Sequence, residues 1–277
     1  MIIRCWGARG SIPVSGKEYL IYGGDTACLE VRTDNDEIVI IDAGSGIRRL
    51  GNLLLAENRY QYTMLFTHAH WDHLMGFPFF RPLYMEGTSI SAFGCPFAQT
   101  SIKHVISRIM TSPNFPVNFD NIKTAITYHE SCDTLFALSS LNVTPIALSH
   151  PNQGVGYKFS EGGKCFIFLT DNELAHKHPG GLDYNDYVDF AYGADLLMHD
   201  AEYTEEDYQR TWGHSLYRQA LQLALDAKVR RLGLFHHNPE RSDAAVDGIV
   251  EDCRKIIRER QSSLECFAVH QDMELVL

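Results

Sequence analysis

One short stretch of the chain concentrates side chains that bind metal ions. Residues 67–73 read Thr-His-Ala-His-Trp-Asp-His and bring together three imidazoles and one carboxylate. Imidazole nitrogen and carboxylate oxygen are typical ligands of Zn²⁺ and related divalent ions. The stretch follows the apolar run Met64-Leu65-Phe66, which predicts a strand that delivers all four ligands at its end. A histidine-rich surface turn is the alternative, and the preceding strand argues against it.

These ligands are spaced as His-x-His-x-Asp-His, and through this pattern the chain resembles the metallo-β-lactamase superfamily. The resemblance covers nearly the whole chain, because three later polar residues also stand where predicted strands end. They are His150 after Leu148-Ser149, Asp171 after Leu169-Thr170, and His236 after Leu234-Phe235. The resemblance implies an α/β fold, a four-layer αββα sandwich with its site at one end of the strands.

The resemblance further implies two divalent metal ions, with zinc expected and manganese or iron as alternatives. It assigns His68, His70 and His150 to the first ion, Asp72, His73 and His236 to the second, and Asp171 to a bridge between them. His237 directly follows His236 and stays an alternative ligand, although the motif alignment favours His236. Asp42 ends an earlier strand and is expected to orient a ligand, with a helix cap as its alternative role.

A second pair of motifs indicates the type of reaction. Leu197-Met198-His199-Asp200-Ala201 and Gly213-His214-Ser215 resemble motifs of the phosphodiesterase branch, which includes the tRNA 3′-end processing endonucleases. That branch carries a glutamate at the position of Asp200 and a threonine at that of Leu216. A helix N-terminus makes an imidazolium a better acid, and a nearby carboxylate keeps it charged. We predict three catalytic residues, namely His214 as general acid, Asp200 as its partner, and Asp72. An ordinary surface histidine is the alternative for His214.

The spacing of two ligands limits the size of the substrate. The tRNA-processing enzymes recruit RNA with an arm inserted after the third histidine motif, whereas only residues 151–170 separate His150 from Asp171. The expected substrate is a small phosphodiester, a cyclic nucleotide or a short nucleic-acid end. Glycine-rich loops at residues 7–11 and 23–26 are expected at the same end of the fold. Arg9 could hold a phosphate there, although such loops more often simply turn the chain.

The elements that must position these residues alternate between strand-like and helical patterns. Strands are predicted at residues 2–6, 27–33, 37–42, 62–67, 90–93, 125–129, 141–149, 156–159, 165–170, 195–199 and 231–236. Helices are predicted at residues 47–58 and 101–110, and two more begin after Ser215 and Ser242 as caps. This order suggests packed sheets with helices outside, and we predict a single hydrolase domain over residues 1–277.

The composition is that of a globular protein. Hydrophobic residues make up 45 % and charged residues 21 % of the chain, which is ordinary for a sizeable core. The net charge of −11 argues against a broad electrostatic nucleic-acid footprint. We expect no signal peptide and no membrane span, which needs about 20 apolar residues. The 7 cysteines form no CxxC pair, so we expect buried thiols in a reducing cytoplasm. A homodimer stays open as the assembly.

The sequence therefore predicts a metal-dependent phosphodiesterase that uses water activated between two ions. A di-iron redox protein of the same fold with a flavin partner is one alternative, and the sequence shows no appended flavin domain. A non-catalytic metal-containing sensor is another, and the open site with His214 argues against it. Lactam and thioester hydrolases share the metal ligands but do not generally carry the Asp200 and His214 pair.

Overall fold

The computed structural model describes residues 1–95, 101–129 and 135–277. Its strands are β1 Ile2–Gly7, β2 Cys28–Arg32, β3 Ile38–Ile41, β4 Gln61–Leu65, β5 Ser89–Phe93, β6 Ala125–His129, β7 Phe136–Leu138, β8 Leu141–Leu148, β9 Gly154–Glu161, β10 Lys164–Leu169, β11 Leu196–Asp200, β12 Arg231–Phe235, β13 Glu265–Ala268 and β14 Glu274–Val276. Its α-helices are α1 Ile47–Ala56, α2 Trp71–Leu74, α3 Ile102–Ile109, α4 Tyr184–Ala191, α5 Tyr217–Asp226 and α6 Asp243–Glu259. None of the helices in these described ranges is long and apolar enough to cross a membrane.

The strands form two seven-stranded sheets. The first has the order β14-β1-β2-β3-β4-β5-β6, and the second has the order β13-β12-β11-β10-β9-β8-β7. Neighbours are parallel from β3 to β6 and from β10 to β13, and antiparallel elsewhere. Because the carboxyl ends of parallel strands lie at one edge, the loops after β3, β4, β10, β11 and β12 can converge on one site.

Strand β10 shows why the two sheets pack into layers. Phe166 and Phe168 are buried in a core that includes Val39 of the first sheet, whereas Ile167 and Leu169 are buried with residues of α4, α5 and α6. Successive side chains of a strand point to opposite faces, so one face meets the other sheet and the other face meets helices. On the far side, α1 packs against β1. The predicted four-layer αββα sandwich is therefore confirmed.

The predicted strands and helices are present, but one cap is wrong. Helix α5 begins at Tyr217 with Leu216 at its N-cap, not with Ser215. The Ser215 hydroxyl is engaged elsewhere, donating to the Asn172 carbonyl at 2.6 Å and accepting from the Leu174 amide at 3.0 Å. The Ser242 cap of α6 is confirmed, since its side chain accepts from the amide of Ala245. Helices α2 and α4 and the short strands β7, β13 and β14 were not predicted.

The cysteines differ from the prediction at one position. Cys5, Cys28, Cys165, Cys253 and Cys266 are free. Cys95 is disulfide-bonded, so the prediction of a thiol there is wrong. Disulfide pairing follows from the fold and cannot be deduced from sequence spacing. Cys132 lies outside the described residues.

Candidate metal centre

The loops that leave the strand ends carry the site, and three of them turn through an unusual backbone conformation. Asp42 follows β3, Asp171 follows β10, and His236 follows β12. Their φ angles are 59°, 52° and 59° respectively, in the left-handed region. Such a conformation costs a residue with a side chain about 1–3 kcal/mol and clusters at functional sites. At these three positions the left-handed turn directs a metal-type side chain from the end of a strand.

The first group of ligands contains His68, His70, His150 and Asp171. Their donor atoms all lie within 4.8 Å of one another. His150 Nε2 is 3.0 Å from His70 Nδ1, and His68 Nε2 is 3.4 Å from Asp171 Oδ2. The structure thus brings together the residues that the sequence assigned to the first ion and the bridge.

The second group contains Asp72, His73 and His236. Asp72 Oδ2 lies 3.0 Å from His236 Nε2 and 3.3 Å from His73 Nε2. Asp171 reaches this group as well, with Oδ1 at 3.2 Å from His73 Nε2 and Oδ2 at 3.4 Å from His236 Nε2. Its carboxylate therefore lies between the two groups, as a bridging ligand must.

The chemistry of this donor set fits two divalent ions. Among the described residues, Nε2 of His68 and of His73 are buried without a hydrogen-bond partner, which is costly unless an ion is bound. Burial opposes ionisation of Asp171, but His236 and His73 outweigh it and hold the pKa of this carboxyl well below its usual range. Burial lowers the pKa of His150 to about 4. A neutral imidazole has the free lone pair that metal binding requires. Burial opposes the charge on His73 and His236, but neighbouring carboxylates raise the pKa of both rings well above the usual range, so these two must release a proton when an ion binds.

His237 lies outside both groups. Its Nε2 donates to the carbonyl of Val269 at 2.8 Å, and burial lowers its pKa to about 3. Its backbone joins the first loop of the chain, because its amide donates to the Ala8 carbonyl and its carbonyl accepts from the Gly10 amide. The structure therefore places His236, and not its neighbour, among the metal-type ligands.

Asp42 contacts the second group through the ring of His73. Its Oδ2 lies 2.7 Å from His73 Nδ1. The same carboxylate accepts from the backbone amide and the hydroxyl of Thr67, at 2.8 and 2.7 Å. Helix α1 has Gly46 at its N-cap, so the alternative role of Asp42 as a helix cap is excluded. A carboxylate in this position fixes the tautomer and orientation of a ligating imidazole.

His214 adjoins both ligand groups. Its ring stacks on that of His236 at 4.8 Å and lies 5.4 Å from that of His150. Its Nδ1 is 3.3 Å from Asp200 Oδ2 and 3.5 Å from Glu202 Oε2. Burial opposes the charged ring, but Glu202 and Asp200 outweigh it and raise the pKa of His214 to about 9.

Asp200 faces the ring as predicted, but the predicted help from the helix dipole is absent. His214 precedes Leu216, the N-cap of α5, so it lies outside the first turn, where a helix dipole acts. The two carboxylates, and not the helix, hold the proton. Asp200 also anchors the surrounding backbone, since its oxygens accept from the amides of Glu202 and Ser215 at 3.0 and 2.9 Å.

Glu202 is a site residue that the sequence analysis missed. Its Oε2 lies 2.9 Å from His236 Nδ1, so it orients this ligand as Asp42 orients His73. It is buried, and its oxygen also belongs to a cluster with Asp200, His214 and His236. The available signal was an acidic residue two positions beyond Asp200 at a strand end, where residues i and i+2 share a side.

Arg9 is structural and does not line the site. Its fully buried guanidinium donates to the carbonyls of Gly23 at 2.9 Å and Arg241 at 2.8 Å. A phosphate cannot reach the buried guanidinium, so the structure supports the other reading, in which this loop simply turns the chain. The same loop still reaches the centre, since the Ser11 amide donates to Asp72 Oδ2 at 2.8 Å. Gly10 allows this approach, as an added Cβ would lie 2.2 Å from His236 Nδ1.

Residues 151–170 form no inserted arm. After a turn they form strands β9 and β10, which pair as an antiparallel hairpin between His150 and Asp171. The 151–170 segment therefore consists of this turn and hairpin, which connect His150 to Asp171.

Comparison with known proteins relates this chain to one protein family by sequence and to several proteins by fold. The family described as "Beta-lactamase superfamily domain" matches residues 37–237. A ribonuclease Z from Picrophilus torridus is 25 % identical and covers 98 % of this chain and 96 % of its own. The metallo-β-lactamase fold protein YhfI from Bacillus subtilis superposes with a TM-score of 0.73 at 14 % identity, covering 99 % and 98 % of the two chains. The short form of human tRNase Z has a TM-score of 0.65 at 18 % identity, covering 100 % and 99 %.

Proposed function

Because the chain belongs to the family described as "Beta-lactamase superfamily domain", we propose that it is a metal-dependent phosphodiesterase. One observation carries the proposal. His214, faced by Asp200 and Glu202 at 3.3 and 3.5 Å, packs against a histidine of each metal-ligand group. A charged imidazole in this position suits the protonation of an alkoxide leaving group. The similarity to a protein named ribonuclease Z supports the same bond type.

The first group and the second group would each hold one divalent ion, with Asp171 between them. Two such ions supply Lewis-acid polarisation of phosphoryl oxygens and activation of water. The chain's own residues supply orientation and charge. Asp42 and Glu202 fix the rings of His73 and His236, so that each presents Nε2 to the centre. The carboxylates of Asp72 and Asp171 balance part of the cationic charge.

His214 moves a proton in this scheme. Asp200 and Glu202 stabilise the proton on Nδ1, which leaves Nε2 to donate its proton to the departing oxygen. General acid catalysis of this kind typically contributes about 10² to 10⁴ in rate. Asp200 acts as a positioning residue, because it holds both the His214 ring and the amide of Ser215 beside it.

We propose a small phosphodiester or a short nucleic-acid end as the substrate. The hairpin of residues 151–170 provides no arm for folded RNA, and the net charge of −11 disfavours broad phosphate contacts.

Four further features belong to the same proposal. Zinc suits a set of imidazole and carboxylate ligands. A single domain over residues 1–277 is supported by the pairing of β1 with β14 in one sheet. Five free cysteines fit a cytoplasmic location, although Cys95 is disulfide-bonded.

Exposed Leu20 and Ile21 suit a homodimer contact, which light scattering after size-exclusion chromatography would test.

The proposed function is tested with purified protein whose metal content has been measured. We expect two ions per chain. We expect hydrolysis of bis(p-nitrophenyl) phosphate that a chelator abolishes and added zinc or manganese restores. A chromogenic cephalosporin and a thioester serve as comparison substrates in the same preparation. Turnover of either one, with no cleavage of phosphodiesters by the two-ion protein, would overturn the proposal.

A further inference from the structure

Beside the metal centre the structure contains a recess of about 380 Å³, and His68 and His70 form part of its wall. This volume lies at the small end of the range of about 300–1,000 Å³ for small-molecule sites. Resting on the proposed phosphodiesterase activity, we propose that this recess binds a nucleobase and that the substrate is a nucleotide phosphodiester. We call it the base recess.

One wall of the base recess is apolar. Helix α3 lines it with Val105 and Ile109, which lie one turn apart and share a face. The segment that carries the metal ligands adds Trp71 and Leu74. The Trp71 side chain is 64 % exposed, directly after the ligand His70. An exposed indole beside a reactive centre offers the flat surface on which bases stack, and such stacking tolerates any base.

The other lining residues are polar in a way that suits a base edge. Asn114, Asn152 and Gln153 also line the recess, and an amide side chain both donates and accepts hydrogen bonds. The edges of nucleobases likewise present donors and acceptors side by side. Arg108 on α3 adds a positive charge, which suits the anionic backbone of a nucleotide. A purely aliphatic or lipid-like ester group would leave these amides unused.

The position of His214 indicates which part of the substrate occupies the recess. His214 stacks on His236 and contacts His150, whereas the recess is walled by His68 and His70. The leaving oxygen lies beside the acid, so the base belongs to the group that stays on phosphorus. Water oxygen forms the new P–O bond and loses one proton, the bond to the leaving oxygen breaks, and that oxygen takes the proton from His214. The proton lost by the water restores the charge of His214. The products are a nucleoside monophosphate and an alcohol.

The test uses two substrates with the same leaving group, thymidine 5′-(p-nitrophenyl phosphate) and ethyl p-nitrophenyl phosphate. We expect kcat/KM of the metal-loaded protein to be at least about tenfold higher for the thymidine ester, within the range of base stacking. Trp71→Ala and Val105→Asp should each reduce this ratio severalfold, with metal content measured in both variants. Trp212→Ala is the matched control, because Trp212 is 65 % exposed and does not line the recess, and it should keep the ratio.

Binding is measured separately from turnover. Isothermal titration with thymidine 5′-monophosphate should show tighter binding than ethyl phosphate, and Trp71→Ala should remove the difference. Equal kcat/KM for the two esters, or equal ratios in Trp71→Ala and Trp212→Ala, would refute the base recess while leaving the phosphodiesterase proposal intact. If the two-ion protein cleaves neither ester, the phosphodiesterase proposal fails. The binding comparison then still decides whether the recess takes a nucleobase.

Discussion

Replacing His214 by alanine should remove a proton donor without removing a metal ligand. The ring lies against His150 and His236 at 5.4 and 4.8 Å, but the two ligand groups are complete without it. We therefore expect His214→Ala to keep both ions and to lose rate. The loss should depend on the substrate's leaving group, since only a strongly basic alkoxide needs protonation.

The magnitude follows from the proton that the site holds. Burial opposes the charge, yet Glu202 and Asp200 raise the pKa of His214 to about 9, which favours the protonated ring at neutral pH. Loss of a general acid costs about 10² to 10⁴ in rate, or about 2.7–5.4 kcal/mol at 1.36 kcal/mol per tenfold. We expect this loss with an alkyl leaving group and less than about tenfold with p-nitrophenolate, because a weak base departs without a proton.

The assay compares thymidine 5′-methyl phosphate with thymidine 5′-(p-nitrophenyl phosphate), which share the nucleoside and differ in the leaving group. His104→Ala is the matched control, since His104 is an exposed histidine of α3, and both rates should stay unchanged. Asp200→Asn should show the same pattern more mildly, because Glu202 still faces His214 at 3.5 Å.

Two results would refute this reasoning. Equal losses on both esters in His214→Ala would show that the ring does not protonate the leaving group. Loss of an ion in the same variant would make His214 a ligand, in keeping with its place in a cluster with Asp200, Glu202 and His236.

The remaining predictions concern the ligand shell. Asp171→Asn should lower the metal content by elemental analysis, because this carboxylate touches both groups, whereas His237→Ala should keep two ions, and the reverse result would exchange their roles. Glu202→Gln should weaken binding of one ion by about 10- to 100-fold in chelator competition, the usual effect of losing an orienting partner, and unchanged affinity would show that Glu202 does not orient its histidine. Gly213→Ala should lower the Tm of the metal-free protein in calorimetry, since a Cβ there would lie 2.0 Å from His150 Nδ1 at a φ of +92°, and an unchanged Tm would show that the loop yields freely.

Much of the fold and of the metal centre is visible in the sequence, because the information is local. The run from His68 to His73 follows its strand directly, so the ligand types and their delivery point can be seen within ten residues. His150 and Asp171 also lie just beyond predicted strands, in which apolar residues either alternate with polar ones or form a continuous run. Both patterns predict strands and therefore also where they end. The family resemblance and the αββα sandwich were predicted in this way and are confirmed, whereas the roles of the individual site residues stay predictions.

The tertiary structure decided the choices that depend on side-chain direction or on contacts between distant segments. His236 and His237 are neighbours of the same type, and the motif alignment only favoured His236. The distance of 3.0 Å from its Nε2 to Asp72 and the bond from His237 to Val269 decide between them. The sequence left Arg9 open between a phosphate contact and a simple turn, and its burial with Nε and Nη1 bound to the carbonyls of Gly23 and Arg241 decides for the turn.

Glu202 and the base recess show the same limit. Glu202 acts only because β11 and β12 lie side by side, which brings its carboxylate to His236. The recess exists only where α3 lies across from the segment that holds Trp71. A sequence determines which groups stand at the end of each strand, because that follows from short-range periodicity. Which of these groups meet depends on packing between segments far apart in the chain, and that packing is decided by the folded core as a whole.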